Sequence, residues 1–477
     1  MRRGAVAICA LVALVSTACG SRLPGDVLEA IDAGTTGNTQ TSAGSSLDGG
    51  STSATQGTTG SGGSTVAGST STRGTGSAAA NPGGGGATSG AVKASKCDQA
   101  RSAGPGVSDD EIKVASIVTD SGPLPGATEG SFRGAASYFA LVNAAGGVCG
   151  RKITLLKGDD GLDPAKGRGE FLRLQPDVLA FTGSFSVADS GYIDLIESTG
   201  VPWVAIVVEP EGRKARNVMP RTPAGIVNTG PFVWWKQQHP SVKRAAILFA
   251  DVGGVSANVP GFEKAIEKAG FDRRYTAAAD VTSPDFTPEV QQAQDQGVEF
   301  IYLFAFEVNM HVRMIRNMRQ QNYDPPIKGS NIAFNTRFSE LNGRDGDGWE
   351  NHQTHLLFLD PAERGRSEDV ARFIDWNDRV FPGGQLDLFP VSGWGHAALF
   401  VQALQTIEGE ISRETLLDAL YKAQKFDTGG LAETVDPQTG LGNGCWNMAV
   451  HSGGTWVRKY PADKLFECDI GEDFKFQ

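Results

Sequence analysis

The stretch Asn143–Asp160, Asn-Ala-Ala-Gly-Gly-Val-Cys-Gly-Arg-Lys-Ile-Thr-Leu-Leu-Lys-Gly-Asp-Asp, restricts the fold more than any other part of the chain. Upstream of it, Phe132, Ala135, Ala136, Phe139, Ala140 and Asn143 recur at helical spacing. Gly146 and Gly147 follow the last periodic residue, where a helix end takes up positive φ. Ile153–Leu156 then reads as a buried strand ending in Asp159 and Asp160, and Asp163-Pro164 opens another helix with proline at a tolerated first position. Ile112–Val118 is a strand before the first helix. Residues 112–175 thus run strand, helix, strand, helix, which is the start of a parallel α/β sheet.

The alternation continues downstream. Strands are expected at 178–182, 203–208, 217–222, 245–250, 275–279, 300–304, 327–329, 355–359, 446–450 and 455–458. Helices are expected at 188–199, 225–239, 260–269, 287–296, 308–321, 367–380, 391–407 and 412–422. Two successive runs of βα units predict two similar lobes, and 477 residues are too many for one ordinary domain.

The N-terminal region is of another kind. Arg2 and Arg3 precede an apolar run, Ala5–Val15, too short to span a bilayer. Ser16-Thr17-Ala18-Cys19 resembles a bacterial lipoprotein signal, so residues 1–18 read as a signal peptide and Cys19 as the lipidated residue that ties the chain to the membrane. Residues 19–96 read as a tether, since 35–94 are almost only Gly, Ser, Thr and Ala and cannot bury enough apolar surface to fold. As a flexible coil it would span about 45–50 Å r.m.s.. Cys97, Cys149, Cys445 and Cys468 remain, an even number in an exported chain, which implies disulfides. Three pairings are open; Cys97–Cys149 with Cys445–Cys468 is favoured because each pair lies within one end of the fold. A net charge of −11 without a basic block argues against nucleic acid as a partner.

The Asn-Ala-Ala-Gly-Gly helix end, the following Gly-Arg-Lys-Ile, and the Asp-Asp and Asp-Pro-Ala elements together resemble the type I periplasmic binding proteins, specifically the leucine/isoleucine/valine-binding subfamily of ABC transporter substrate-binding lipoproteins. The resemblance covers roughly residues 107–470. It implies an α/β, two-lobed fold, each lobe a parallel sheet flanked by helices, joined by three hinge crossovers. The substrate-binding domain would be 97–477, with lobe one at about 107–224 and 358–428 and lobe two at about 225–357 and 429–477. It also implies an extracytoplasmic protein at the outer face of the plasma membrane that captures a small polar, carboxylate-bearing, amino-acid-like ligand and delivers it to permease and ATPase subunits. No enzyme activity, cofactor or metal is implied.

Ligands of open α/β sheets bind outside the carboxyl ends of the strands, so the loops there hold the candidates. Gly183-Ser184-Phe185-Ser186-Val187 offers two hydroxyls at a helix start, a corner suited to a carboxylate, and the resembled family binds the amino-acid carboxylate on this loop. A serine there also serves as a helix cap. Glu209 follows the next strand and could meet a cation. In lobe two the family pattern maps to Asp251, Phe306 with Glu307 beside it, and Asn331. Val255 occupies the family's aromatic place, and Asn331 stands where the family carries an acid for the ligand ammonium. An amide hydrogen-bonds but does not neutralise charge, which puts a zwitterionic branched-chain amino acid in question.

Other features carry less. His352-x-x-His355 would chelate a metal on a helix, but its surroundings read as loop and strand. Trp234, Trp235, Trp394 and the face formed by Met310, Met314 and Met318 read as core. Neither a phosphate loop nor a nucleophile elbow is present. Two rivals stay open: a ligand sensor of the same fold without transport, and an exported α/β enzyme, which would need a nucleophile, base or metal cluster at the strand ends.

Overall fold

The structure, a computed structural model, describes residues 96–221, 226–439 and 444–475. The signal peptide, Cys19 and the tether up to residue 95 lie outside the described residues, as do residues 222–225 of the first crossover.

Lobe one is a five-stranded, wholly parallel sheet. Its strands are β2 (Glu111–Val118), β3 (Lys152–Asp159), β4 (Ala180–Thr182), β5 (Trp203–Val204) and β6 (Val218–Met219), in the order β3-β2-β4-β5-β6. A short parallel pair, β1 (Arg101–Ser102) with β13 (Glu410–Ile411), lies outside it. Helix α1 (Glu129–Ala144) follows β2 and ends at the glycine pair, where Gly146 and Gly147 have φ of 102° and 83°. Asp163 caps α2 (Pro164–Leu174), accepting from the N–H groups of Ala165 and Lys166. One face of the sheet packs on α1 and the later helix α11 (Leu388–Leu404); the other buries Phe171, Phe181, Tyr192 and Trp203 against α2 and α3 (Ile193–Thr199). A Cβ on Gly393 would lie 1.8 Å from the Ser131 carbonyl oxygen, so only glycine lets α1 and α11 approach this closely.

Lobe two is a seven-stranded sheet in the order β15-β14-β12-β11-β10-β8-β9. Strands β8 (Arg244–Ala250), β9 (Asp272–Ala279), β10 (Phe300–Phe304), β11 (Ile327–Ser330) and β12 (Trp349–Gln353) are parallel. Strands β14 (Asn447–Ser452) and β15 (Thr455–Tyr460) join antiparallel at one edge, so this sheet is mixed rather than purely parallel. Every residue of β10 is buried, as a central parallel strand with both faces covered requires. Trp234 and Trp235 of α4 (Gly230–Gln238) fill one side, and Met310, Met314 and Met318 of α7 (Val308–Gln320) fill the other, as their spacing predicts.

Several sequence expectations need correction. Residues 203–208 form only a two-residue strand, because the chain bends away at Ala205. The helix expected at 225–239 starts at Gly230, and Ile226–Asn228 is instead strand β7, paired antiparallel with β16 (Asp473–Lys475). The strand-like return at 355–359 reduces to one bridge at His355; the true sheet strand is Trp349–Gln353, whose polar residues Asn351, His352 and Gln353 hid it. Helix α8 (Thr336–Asn342) was not anticipated. Both favoured disulfides, Cys97–Cys149 and Cys445–Cys468, are formed.

The chain passes between the sheets three times: between β6 and β7, between β12 and α10 (Glu368–Val380), and between α12 (Arg413–Lys422) and β14. Near these passages one apolar cluster spans both lobes. Phe334 of lobe two meets Phe358 at 5.1 Å, Phe358 meets Phe373 at 5.4 Å, and Phe373 meets Trp394 of α11 at 5.6 Å between ring centroids.

Candidate functional site

The loops at the carboxyl ends of both sheets face each other and touch at two places. At the first, a Cβ on Gly253, after β8, would lie 2.1 Å from the carbonyl oxygen of Val187, after β4. One on the neighbouring Gly254 would lie 3.1 Å from the Val208 carbonyl oxygen and 3.3 Å from Glu209 Oε2. Arg213 Nη1 donates to Asn258 Oδ1 across the same seam at 3.5 Å. At the second place, the turn before α11 meets the segment after β11. Asn335 Nδ2 donates to Asp387 Oδ2 at 3.1 Å, and Thr336 and Leu386 exchange two hydrogen bonds, each 3.1 Å.

Between the two contacts stand two phenyl rings. Phe185 lies two residues before Val187, and Phe389 two residues after Asp387. Their ring centroids are 4.9 Å apart in an edge-to-face arrangement, both rings are half-buried, and neither belongs to a hydrophobic core.

On lobe one, Ser184 is fully buried, and its Oγ accepts the Ile117 N–H at 3.0 Å, tying the loop to β2. Ser186 is buried, its Oγ accepts the Ala188 N–H at 3.0 Å, and its hydroxyl lies against that of Tyr192. The helix expected from Ala188 is a single 3-10 turn, Asp189–Gly191, followed by the seven residues of α3. So short a helix supplies no aligned dipole behind Ser186, and any anion here relies on hydroxyl and local N–H donors. Asp189 is the hidden support of this region. Its carboxylate accepts from Val208 N–H at 2.6 Å and Glu209 N–H at 3.2 Å, and joins the loops after β4 and β5. Burial pushes the Asp189 carboxyl up to about 7, against the pull of those two N–H groups. The Arg213 guanidinium, lowered from its ordinary value by burial, donates to the carbonyl oxygens of Val207 and Val208.

On lobe two, the candidates fare differently. Glu307 caps α7, accepting from the N–H groups of Asn309 at 2.7 Å and Met310 at 2.8 Å, so its carboxylate is already committed. Phe306 is fully buried beside Phe286 and His311 and serves the core. Asp251 is exposed although Gly253, two residues on, is pressed against lobe one, so closure does not seal it in. Asn331 Oδ1 accepts the Ala305 N–H at 2.9 Å. That bond steadies Ala305 at φ 58°, a left-handed conformation costly for a residue with a Cβ. Val255 is buried in lobe two. His352 stacks on Tyr302 in one core, whereas His355 stacks on Phe358 in the other, so the two imidazoles sit on opposite sides of the sheet and form no pair.

The model of the family described as periplasmic binding protein matches residues 111–455, most of the chain. The chain belongs to the periplasmic binding protein family. Over 243 residues it is 23% identical to the Leu/Ile/Val-binding protein of Citrobacter freundii, a match spanning 50% of this chain and 66%, just under two thirds, of that relative. Among solved structures, a fatty acid ABC transporter substrate-binding protein from Thermomonospora curvata superposes with a TM-score of 0.61 at 19% identity, covering 78% of this chain and 96% of that one. A solute-binding protein of an ABC transporter from R. palustris, in complex with benzoate, gives a TM-score of 0.58 at 17% identity, covering 73% and 95%.

This periplasmic binding protein is therefore of the type I, Leu/Ile/Val-binding-protein-like class. Among the described residues no helix is long and apolar enough to cross a membrane. Sequence reasoning missed Phe389, Asp189, Ala305 and Gly253. The Gly253-Gly254 pair after an acidic strand end was the one available signal; the others depend on partners distant in sequence.

Proposed function

We propose that the protein is the extracytoplasmic, lipid-anchored solute-binding component of an ABC importer, and that it captures a small carboxylate-bearing ligand between its lobes and hands it to the permease. The observation that carries this reading is the pair of inter-lobe contacts at the strand ends, with the Phe185 and Phe389 rings beside them. A site of this kind binds by closure about the crossing segments, which act as hinges. The carboxylate assignment is supported by the position of Ser186 on the loop after β4, at the carboxyl end of the lobe-one sheet. It is supported also by the ligands in the relatives' names, Leu/Ile/Val, fatty acid and benzoate, which share a carboxylate. Anchoring rests on the Thr17-Ala18-Cys19 site and the length of the tether behind it.

Two experiments test the proposal. In a thermal-shift panel of carboxylates, amino acids, amides and sugars, a true ligand at 100 times its Kd should add about 2.7 kcal/mol of stability. A panel in which only non-carboxylates stabilise the protein would refute the carboxylate assignment. Cys19→Ser should move the protein from the membrane fraction into the soluble extracytoplasmic fraction, and unchanged membrane retention would refute the anchor.

A further inference from the structure

We infer that Ser339 is a nucleophilic serine, activated by His451 and positioned through Asp347, that takes the acyl group from esters with good leaving groups. The three residues come from separate elements of lobe two. Ser339 is in the middle of α8, His451 is in β14, and Asp347 lies in the turn that leads into β12. That turn is at the amino end of the parallel strands, away from the cleft, and Gly348 of the turn donates its N–H to the His451 carbonyl oxygen at 2.9 Å. Ser339 Oγ lies 3.0 Å from His451 Nε2, and His451 Nδ1 lies 3.1 Å from Asp347 Oδ1. These are the atoms of a serine–histidine–aspartate triad in their working order, a constellation recognised by geometry and roles on unrelated folds.

The proton positions follow from the partners. Desolvation pushes the Asp347 carboxyl up, but the N–H groups of Gly454 and Gly453, at 3.0 and 3.1 Å, together with His451 outweigh it and hold the carboxyl below its ordinary value. A carboxylate only accepts, so Nδ1 carries the ring proton and Nε2 accepts the Ser339 O–H. Burial lowers the His451 imidazole from its ordinary value against the pull of Asp347, which keeps it a neutral base at pH 7. The ring is fully buried and held edge-on by Phe338 and Trp456, each 5.1 Å away between centroids. A Cβ on Gly346 would lie 3.2 Å from His451 Nδ1, so glycine there lets the turn bring Asp347 to the ring. Ser339 is half-buried, and the bond to His451 is the one hydrogen bond its Oγ makes among the described residues, so its lone pairs are unspent. In the reaction Ser339 Oγ bonds the acyl carbon while its proton passes to Nε2; the ester C–O bond breaks, and the leaving alkoxide takes that proton. Water then attacks the acyl-serine by the same route and releases the carboxylic acid and free Ser339. A serine inside a helix, unlike one on a strand-to-helix elbow, brings no backbone N–H pair to the oxyanion. Each missing donor costs about 10²–10³-fold, which restricts the substrates to activated esters.

The test treats the full-length protein with an alkyl fluorophosphonate, finds the labelled serine by peptide mass spectrometry, and follows p-nitrophenol release from p-nitrophenyl acetate in parallel. Ser339 should be labelled about 10²-fold or more faster than any other serine, at a rate that falls as pH drops and the imidazole takes up its proton. Ser339→Ala should abolish p-nitrophenol release above the uncatalysed rate, and alanine is a good helix former, so circular dichroism should show the fold intact. Asp347 touches no substrate and acts through His451. Asp347→Asn should therefore slow labelling by about 10²-fold or more while the label stays on Ser339. Labelling of Ser339 no faster than of other serines, absence of p-nitrophenol release from the wild type, release retained in Ser339→Ala, or an unchanged labelling rate in Asp347→Asn would each overturn the inference. The solute-binding reading rests on other residues, and none of these outcomes alters it.

Discussion

Gly253→Ala should cripple closure while leaving each lobe folded. Two costs can be separated. Gly253 has φ 39°, so alanine there is strained whether the lobes are apart or together, by about 1 kcal/mol, and that cost lowers the melting temperature without touching affinity. The second cost exists only when the lobes meet. The new Cβ would sit 2.1 Å from Val187 O, against a practical limit of 3.0 Å, and the atom it meets is backbone that cannot swing away. The lobes must then stay apart at that point by about 1 Å, a gap that forfeits a quarter to a half of the local dispersion attraction. Overpacking of this kind costs about 1–3 kcal/mol, which converts to roughly 5- to 150-fold in affinity because only the closed, ligand-bound state bears it. Gly254→Ala is the internal control: its Cβ would lie 3.1 Å from Val208 O, needs a shift of only tenths of an ångström, and should cost far less. The assay is calorimetry with the tightest-binding compound of a carboxylate and amino-acid panel, joined to small-angle scattering with and without it. Wild-type affinity and wild-type compaction in Gly253→Ala would refute the closure seat.

Three further outcomes are expected. Removing Cys97–Cys149 or Cys445–Cys468, whose partners are 52 and 23 residues apart, should cost about 4 and about 3 kcal/mol respectively by loop entropy, read by denaturant melts. Burial raises Asp189 to about 7 and Asp387 to about 6, so both are more easily kept protonated in the folded chain than in the unfolded one. Their penalty is absent below the unfolded value of about 4 and grows as pH rises through the folded values, so stability should fall between about pH 4 and 7, by at most about 1.4 kcal/mol per pH unit for each group. Asp189→Asn should flatten that slope, and an unchanged profile would show that neither burial nor the Val208 contact governs it. Ala305→Gly should relieve the left-handed residue and stabilise by up to about 1 kcal/mol, whereas Asn331→Ala should destabilise by about 1–2 kcal/mol through loss of the Ala305 bond, both measured by thermal unfolding.

Order along the chain decided the architecture. Gly146-Gly147 after a periodic helix, Asp163-Pro164 before the next, and the unbroken apolar run Phe300–Phe304 are local signals, so the βα units and both lobes were legible from the sequence. The cysteine pairs were legible because each stays at one end of the fold. Strand Trp349–Gln353 was not, since its polar residues find their partners only in the sheet and core, as Glu350 does with the indole N–H of Trp235 at 2.7 Å. The site was read least well, for the same reason. A sequence position tells which loop an acid occupies, but not what its carboxylate already holds. Glu307 turned out to cap its own helix, and Asn331 to hold Ala305, while Phe389, 204 residues after Phe185, came to meet that ring because α11 packs on α1. Local chemistry determined the elements; which side chains remain free for a ligand was decided by contacts that only tertiary packing creates.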